Sequence, residues 1–147
     1  MPDKVIEILM VEDNPDDAEL ALLALRDHKV TNRIDVVRDG AEALDYLFAT
    51  GKYADRDIEQ VPRLILLDIK LPKVDGLQVL ERIKTDQRTR TIPVVILTSS
   101  REEPDIARGY ELGANSYIVK PVDFEQFASA VRQVGYYWML LNEAPVK

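Results

Sequence analysis

The chain predicts an α/β fold: a five-stranded parallel sheet covered by helices on both faces. Three observations predict it. Short apolar runs recur along the chain with little polar interruption, as strands buried on both faces require. Stretches with helical spacing alternate with those runs, giving five strand–helix units. Several runs also stop at a polar side chain suited to chemistry, and open sheets of this kind place their sites beyond the C-terminal strand ends.

The clearest run is Leu64-Ile65-Leu66-Leu67, which stops at Asp68. Pro62 precedes it, and Pro72, Asp75 and Gly76 follow, so turn signals bound it on both sides. Residues 6–11 predict the first strand, ending in Glu12 and Asp13. Asn14 then suits an N-cap, Pro15 the first helical position, and Asp16 and Asp17 the first turn, where the helix dipole favours acids. That helix runs to about residue 27 on a stripe of Ala18, Ala21, Leu22 and Leu25. Residues 33–37 form a short second strand. Asp39-Gly40 opens the second helix, with Ala43, Leu44, Leu47 and Phe48 as its inner face.

Residues 50–62 have little periodicity and predict a surface loop. The third helix carries Leu77, Val79, Leu80 and Ile83. Residues 93–97 predict the fourth strand, ending at Thr98-Ser99-Ser100, and a helix over 103–112 stops at Gly113. Residues 116–119 predict the fifth strand, ending at Lys120-Pro121. Asp123 to Gln126 reads as a capping box for a fifth helix that repeats Phe124, Phe127, Val131, Val134, Trp138 and Leu141. Residues 142–147 fray. Right-handed crossovers and short connections favour a flavodoxin-like, doubly wound, three-layer arrangement with strand order 2-1-3-4-5. All 147 residues form one domain.

Composition narrows the function. At 46% hydrophobic and 31% charged the chain reads as globular rather than disordered. With no cysteine, disulfides and thiolate metal sites are excluded, which suits a cytoplasmic protein. The single histidine, His28, rules out a multi-histidine metal site and reads as a surface residue at a helix end. No apolar stretch is long enough to span a membrane, and Met1-Pro2-Asp3-Lys4 lacks a signal-peptide pattern. The net charge of -7 argues against general nucleic-acid binding.

In this fold Glu12, Asp13, Asp68, Thr98 and Lys120 converge on one edge of the sheet. Carboxylates brought together repel one another unless a cation sits among them. Oxygen donors without histidine or cysteine favour a hard ion, Mg2+ or Mn2+. A carboxylate also serves as nucleophile toward a phosphoryl group, giving an acyl phosphate, and a metal and a lysine would neutralise its oxygens. Asp68 then acts as nucleophile, Glu12 and Asp13 hold the metal, and Lys120 and Thr98 bind phosphoryl oxygens.

The motifs VEDN at 11–14, LILLDIKLPKVDG at 64–76, ILTSS at 96–100 and YIVKP at 117–121 resemble the receiver domain of two-component response regulators, over about residues 5–135. The resemblance implies that Asp68 accepts a phosphoryl group from a sensor histidine kinase in a Mg2+-dependent reaction. It implies that Asp13 binds the metal directly, Glu12 through water, and Lys70 through its backbone carbonyl. It further implies that Lys120 bridges to the phosphoryl group, aimed by a cis Lys120-Pro121 peptide, that Thr98 moves toward it, and that Tyr117 swings inward into the space vacated. The NPDDAEL helix start, the DGAEALDYL segment, the 50–62 loop and the aromatic end of the fifth helix are similar to single-domain regulators associated with phytochrome kinases. No DNA-binding output domain is expected. Tyr136 to Leu141 is too apolar to face one sheet, so a homodimer through helix 4, strand 5 and helix 5, including Trp138, is expected.

Other functions fit less well. An aspartyl-nucleophile, Mg2+-dependent phosphatase usually carries a second acid two residues after the nucleophile, where this chain has Lys70. A nucleotide or flavin module lacks its glycine-rich phosphate loop, since Gly51-Lys52 is followed by Tyr53. A receiver-like module that binds partners without phosphate would not need the intact acid set. The expectation is a phosphoacceptor switch rather than a turnover enzyme.

Overall fold

A computed structural model describes residues 7–27, 33–58, 61–71, 74–98, 103–120 and 124–133. Its strands are β1 (Glu7–Val11), β2 (Arg33–Val37), β3 (Leu64–Leu67), β4 (Val94–Thr98) and β5 (Ser116–Val119). Its helices are α1 (Pro15–Asp27), α2 (Gly40–Phe48), α3 (Gly76–Thr85), α4 (Glu103–Glu111) and α5 (Phe124–Gln133). All strand pairs are parallel and the order is β2-β1-β3-β4-β5, the expected topology.

The unbroken apolar runs are explained by a two-sided core. Alternate side chains of a strand point to opposite faces. Leu9, Val11, Ile65, Leu67, Val94 and Ile96 pack on one face with Ala43 and Leu47 of α2 and Val79, Leu80 and Ile83 of α3. Ile8, Met10, Leu64, Leu66, Val95 and Leu97 pack on the other with Ala18 and Ala21 of α1 and Phe127 and Ala130 of α5. Every residue of β3 and β4 is buried. A polar residue inside either strand would be desolvated whichever way it pointed. Polar side chains therefore collect where these strands end.

Helix starts follow local capping chemistry. Asn14 Oδ1 accepts from the amides of Asp16 and Asp17 at 2.9 and 3.1 Å. The Asp39 side chain accepts from the Glu42 amide at 2.7 Å, and the Glu42 carboxylate accepts in return from the Arg38 amide at 2.9 Å. Asp75 and Gln78 close a capping box on α3. The Gly113 backbone, at φ +108°, ends the turn after α4 in a conformation that favours glycine.

The structure corrects several expectations. The 50–62 segment includes a short 3-10 turn, Gly51–Tyr53, that packs back on α2. The Tyr53 ring meets the Tyr46 ring edge-on at 5.1 Å, and its hydroxyl donates to Glu42 at 2.6 Å. Hydrophobic periodicity overlooked this packing because hydroxyls and carboxylates carry much of it. On α2, Tyr46 is buried with its hydroxyl donating to Asp35 at 2.6 Å, while Leu44 is only partly buried. His28, Ser99, Ser100, the Lys120-Pro121 bond, Asp123 and the 136–141 aromatic run with Trp138 lie outside the described residues.

Candidate functional site

Strand register builds the site. Val11 lies opposite Leu67, so Glu12 and Asp68 leave adjacent strands at the same level. Backbone bonds hold both starts: the Asp68 amide donates to the Val11 carbonyl at 3.0 Å, and the Glu12 amide to the Val37 carbonyl at 2.9 Å. Leu67 lies opposite Ile96, which puts Thr98 two residues farther along β4. The Lys120 amide donates to the Thr98 carbonyl at 2.8 Å, carrying the lysine to the same edge.

Glu12 and Asp68 are each 4% exposed, and Thr98 is fully buried. Carboxylate oxygens of Glu12, Asp13 and Asp68 all lie within 4.8 Å of one another, with Asp13 the exposed member. Lys120 Nζ stands 2.5 Å from Glu12 Oε1, 2.8 Å from Asp68 Oδ2 and 3.0 Å from Asp17 Oδ2. The Asn14 amide donates to Glu12 at 3.1 Å, and the Lys70 amide to Asp68 Oδ1 at 3.0 Å.

Burial pushes the Glu12 carboxyl up to about 7, aided by the Asp68 charge and opposed by Lys120 and the Asn14 amide. For Lys120, burial acts against the charge. Hydrogen bonds to Asp68, Glu12 and Asp17 outweigh it and raise the ammonium above its usual range. One cation thus faces three carboxylates, those of Glu12, Asp17 and Asp68, and Asp13 adds a fourth beside Glu12 and Asp68. The oxygen-only set fits a hard divalent ion, which would relieve the excess negative charge.

Each expected site residue lies within the described part of the chain. Glu12, Asp13, Asp68 and Lys120 come together. Thr98 sits at the same sheet edge, bonded through its backbone to Lys120. The Lys70 ammonium points away from the carboxylates, toward Asp105 on α4 at 3.4 Å. Tyr117 is half-buried and packs with the core beneath α4, near Gly109. Asp17 was missed as a member of the group. Its place in the first turn of α1 has a sufficient explanation in the helix dipole, and nothing local points to a lysine 103 residues away.

Fold and site define a class. The chain belongs to the response regulator receiver domain family, whose model matches residues 8–132. Among curated proteins it is 43% identical over 138 residues to the probable methanogenesis regulatory protein FilR2 of Methanothrix harundinacea, covering 94% of this chain and 86% of that one. Among solved structures it is similar to the bacteriophytochrome response regulator AtBRR, at 54% identity and TM-score 0.85, covering 96% of this chain and all of the other. The Mn(2+)-bound form of response regulator Rcp1, a protein of Synechocystis, matches at 33% identity and TM-score 0.75, covering 97% and 99% of the two chains.

Proposed function

We propose that this receiver is a phosphorylation switch: Asp68 accepts a phosphoryl group from a sensor histidine kinase, and the product is read by a partner. The observation that carries this reading is the approach of Lys120 Nζ to Asp68 at 2.8 Å beside two further carboxylates within 4.8 Å. A structural ion pair would not need three acids around one half-buried lysine.

In the proposed reaction an Asp68 oxygen attacks phosphorus, a new P–O bond forms, and the bond to the donor's leaving group breaks with its electron pair. The Lys70 amide and Lys120 orient the carboxylate before attack. Glu12 and Asp13, with Asp68 and the Lys70 carbonyl, would hold the metal. Bound there, Mg2+ supplies positive charge to the phosphoryl oxygens. Lys120 supplies a second positive charge, and the Thr98 hydroxyl a hydrogen bond that draws β4 toward the acyl phosphate. Tyr117, packed beneath α4, then follows into the space Thr98 leaves. Similarity to the bacteriophytochrome response regulator AtBRR supports a phytochrome as the kinase, and the Mn(2+)-bound Rcp1 structure supports a divalent ion at the acids.

The switch is a stoichiometric acceptor rather than a turnover enzyme. A phosphatase of this type would place a second carboxyl two residues after Asp68. Lys70 stands there instead, paired with Asp105. Incubation with acetyl phosphate and Mg2+, followed by intact mass, tests the reading. One added phosphoryl group is expected, and none in Asp68→Asn or when EDTA removes the metal. Continuous release of phosphate with no adduct would favour the phosphatase instead.

A further inference from the structure

An ammonium has three N–H donors. Lys120 Nζ faces three carboxylates, those of Glu12, Asp68 and Asp17. A phosphoryl group on Asp68 adds oxygens that need this cation, so one present partner must give way. The three partners are not equally easy to release. The Glu12 side chain is 3% exposed, so an oxygen turned away from Lys120 cannot reach water. Asp68 carries the incoming group. The Asp17 side chain is 37% exposed and lies in the first turn of α1, where water and the helix N-terminus stabilise its charge. A small cavity with about 20 Å³ open to water adjoins Asp17 and Lys120, bounded by Met10, Leu20 and Leu97. It gives a released Asp17 room for solvent.

We propose that Asp17 is a positioning residue that holds Lys120 over the acceptor in the resting state and yields its place when a phosphoryl group arrives. The inference rests on the phosphoacceptor reading above. Asp17 competes with the phosphoryl oxygens for one donor of Lys120. Its removal therefore strengthens binding of the phosphorylated configuration instead of weakening it. A role confined to supporting α1 would have the opposite effect or none.

The test is calorimetric titration of beryllofluoride, a non-covalent phosphoryl mimic, into the full chain at saturating Mg2+. Asp17→Asn, which keeps the shape and removes the charge, is expected to bind it about two- to fivefold more tightly, the range that a partly exposed ion pair supports. Asp17→Glu restores the competition and binds as the parent does. Asp16→Asn, in the same exposed helical turn but outside the Lys120 group, also binds as the parent does. Unchanged or weaker binding by Asp17→Asn overturns the inference. So does an equal gain in Asp16→Asn, which would assign the effect to net charge. Binding by the parent and not by Asp68→Asn keeps the phosphoacceptor reading in place whichever way Asp17 falls. No binding by the parent removes both.

Discussion

Gly76 lies against the backbone of Asp68. A Cβ at position 76 would stand 2.2 Å from the Asp68 carbonyl oxygen and 2.4 Å from the Ile69 Cα. Only a residue without a side chain lets the start of α3 pass this close to the chain leaving β3. Gly76→Ala is expected to lose about 1–3 kcal/mol, because both opposing atoms are backbone and neither can rotate away. Urea denaturation reads this directly. Retention of parental stability would mean that the start of α3 shifts freely.

Divalent ions should stabilise the fold through the acid cluster. Glu12, Asp13 and Asp68 gather more negative charge than Lys120 balances, so an ion that binds only the folded chain raises the thermal midpoint. At a hundredfold excess over the dissociation constant the gain is about 2.7 kcal/mol. Asp13→Asn should flatten the Mg2+ dependence while leaving the metal-free fold intact, since Asp13 is exposed. A parental response in that variant would remove Asp13 from the ligand set.

Glu42 predicts an acid-sensitive contribution to stability. Burial works against its charge, but hydrogen bonds from Lys52, Tyr53 and the Arg38 amide outweigh it and hold the carboxyl down at about 2 against an ordinary 4.5. The unfolded chain therefore takes up this proton first as pH falls. The contribution is complete above about 4.5 and is lost as pH falls from there through about 2. Glu42→Gln should lower the thermal midpoint at neutral pH and reduce the slope across that acid window. An unchanged slope would mean that other acids dominate there.

Ala49 closes α2 in the left-handed region, at φ 55° and ψ 52°. A side chain there carries a steric penalty that glycine avoids, partly offset by the greater freedom of glycine in the unfolded chain. Ala49→Gly is expected to raise stability by roughly 0.5 kcal/mol in denaturant titration. A loss of stability would show that the unfolded-state term prevails.

How far the fold was legible follows from where its energy lies. Strands β3 and β4 announce themselves because both faces are buried, which leaves apolar runs ending at Asp68 and Thr98. The strand order followed from right-handed crossovers, and the acids and the lysine at the edge followed from that order. Polar packing was much less visible. Tyr46 with Asp35, and Tyr53 with Glu42, are each joined across eleven positions by hydroxyls, to which hydrophobic periodicity is blind. The pairing of Asp17 with Lys120 was hidden by a simpler local explanation for the acid. The close approach of Gly76 to Asp68 was hidden because a glycine after Asp75 already reads as a turn.

Asp68 is the residue expected to carry the phosphoryl group. The most direct measurement is reduction of the acetyl phosphate-treated, Mg2+-loaded chain with borohydride, which converts an aspartyl phosphate to homoserine, followed by peptide mass analysis. Homoserine at position 68, and at none of Glu12, Asp13 or Asp17, is the predicted result. A phosphorylated parent whose reduced residue maps to another acid, or whose phosphate resists reduction, would contradict it.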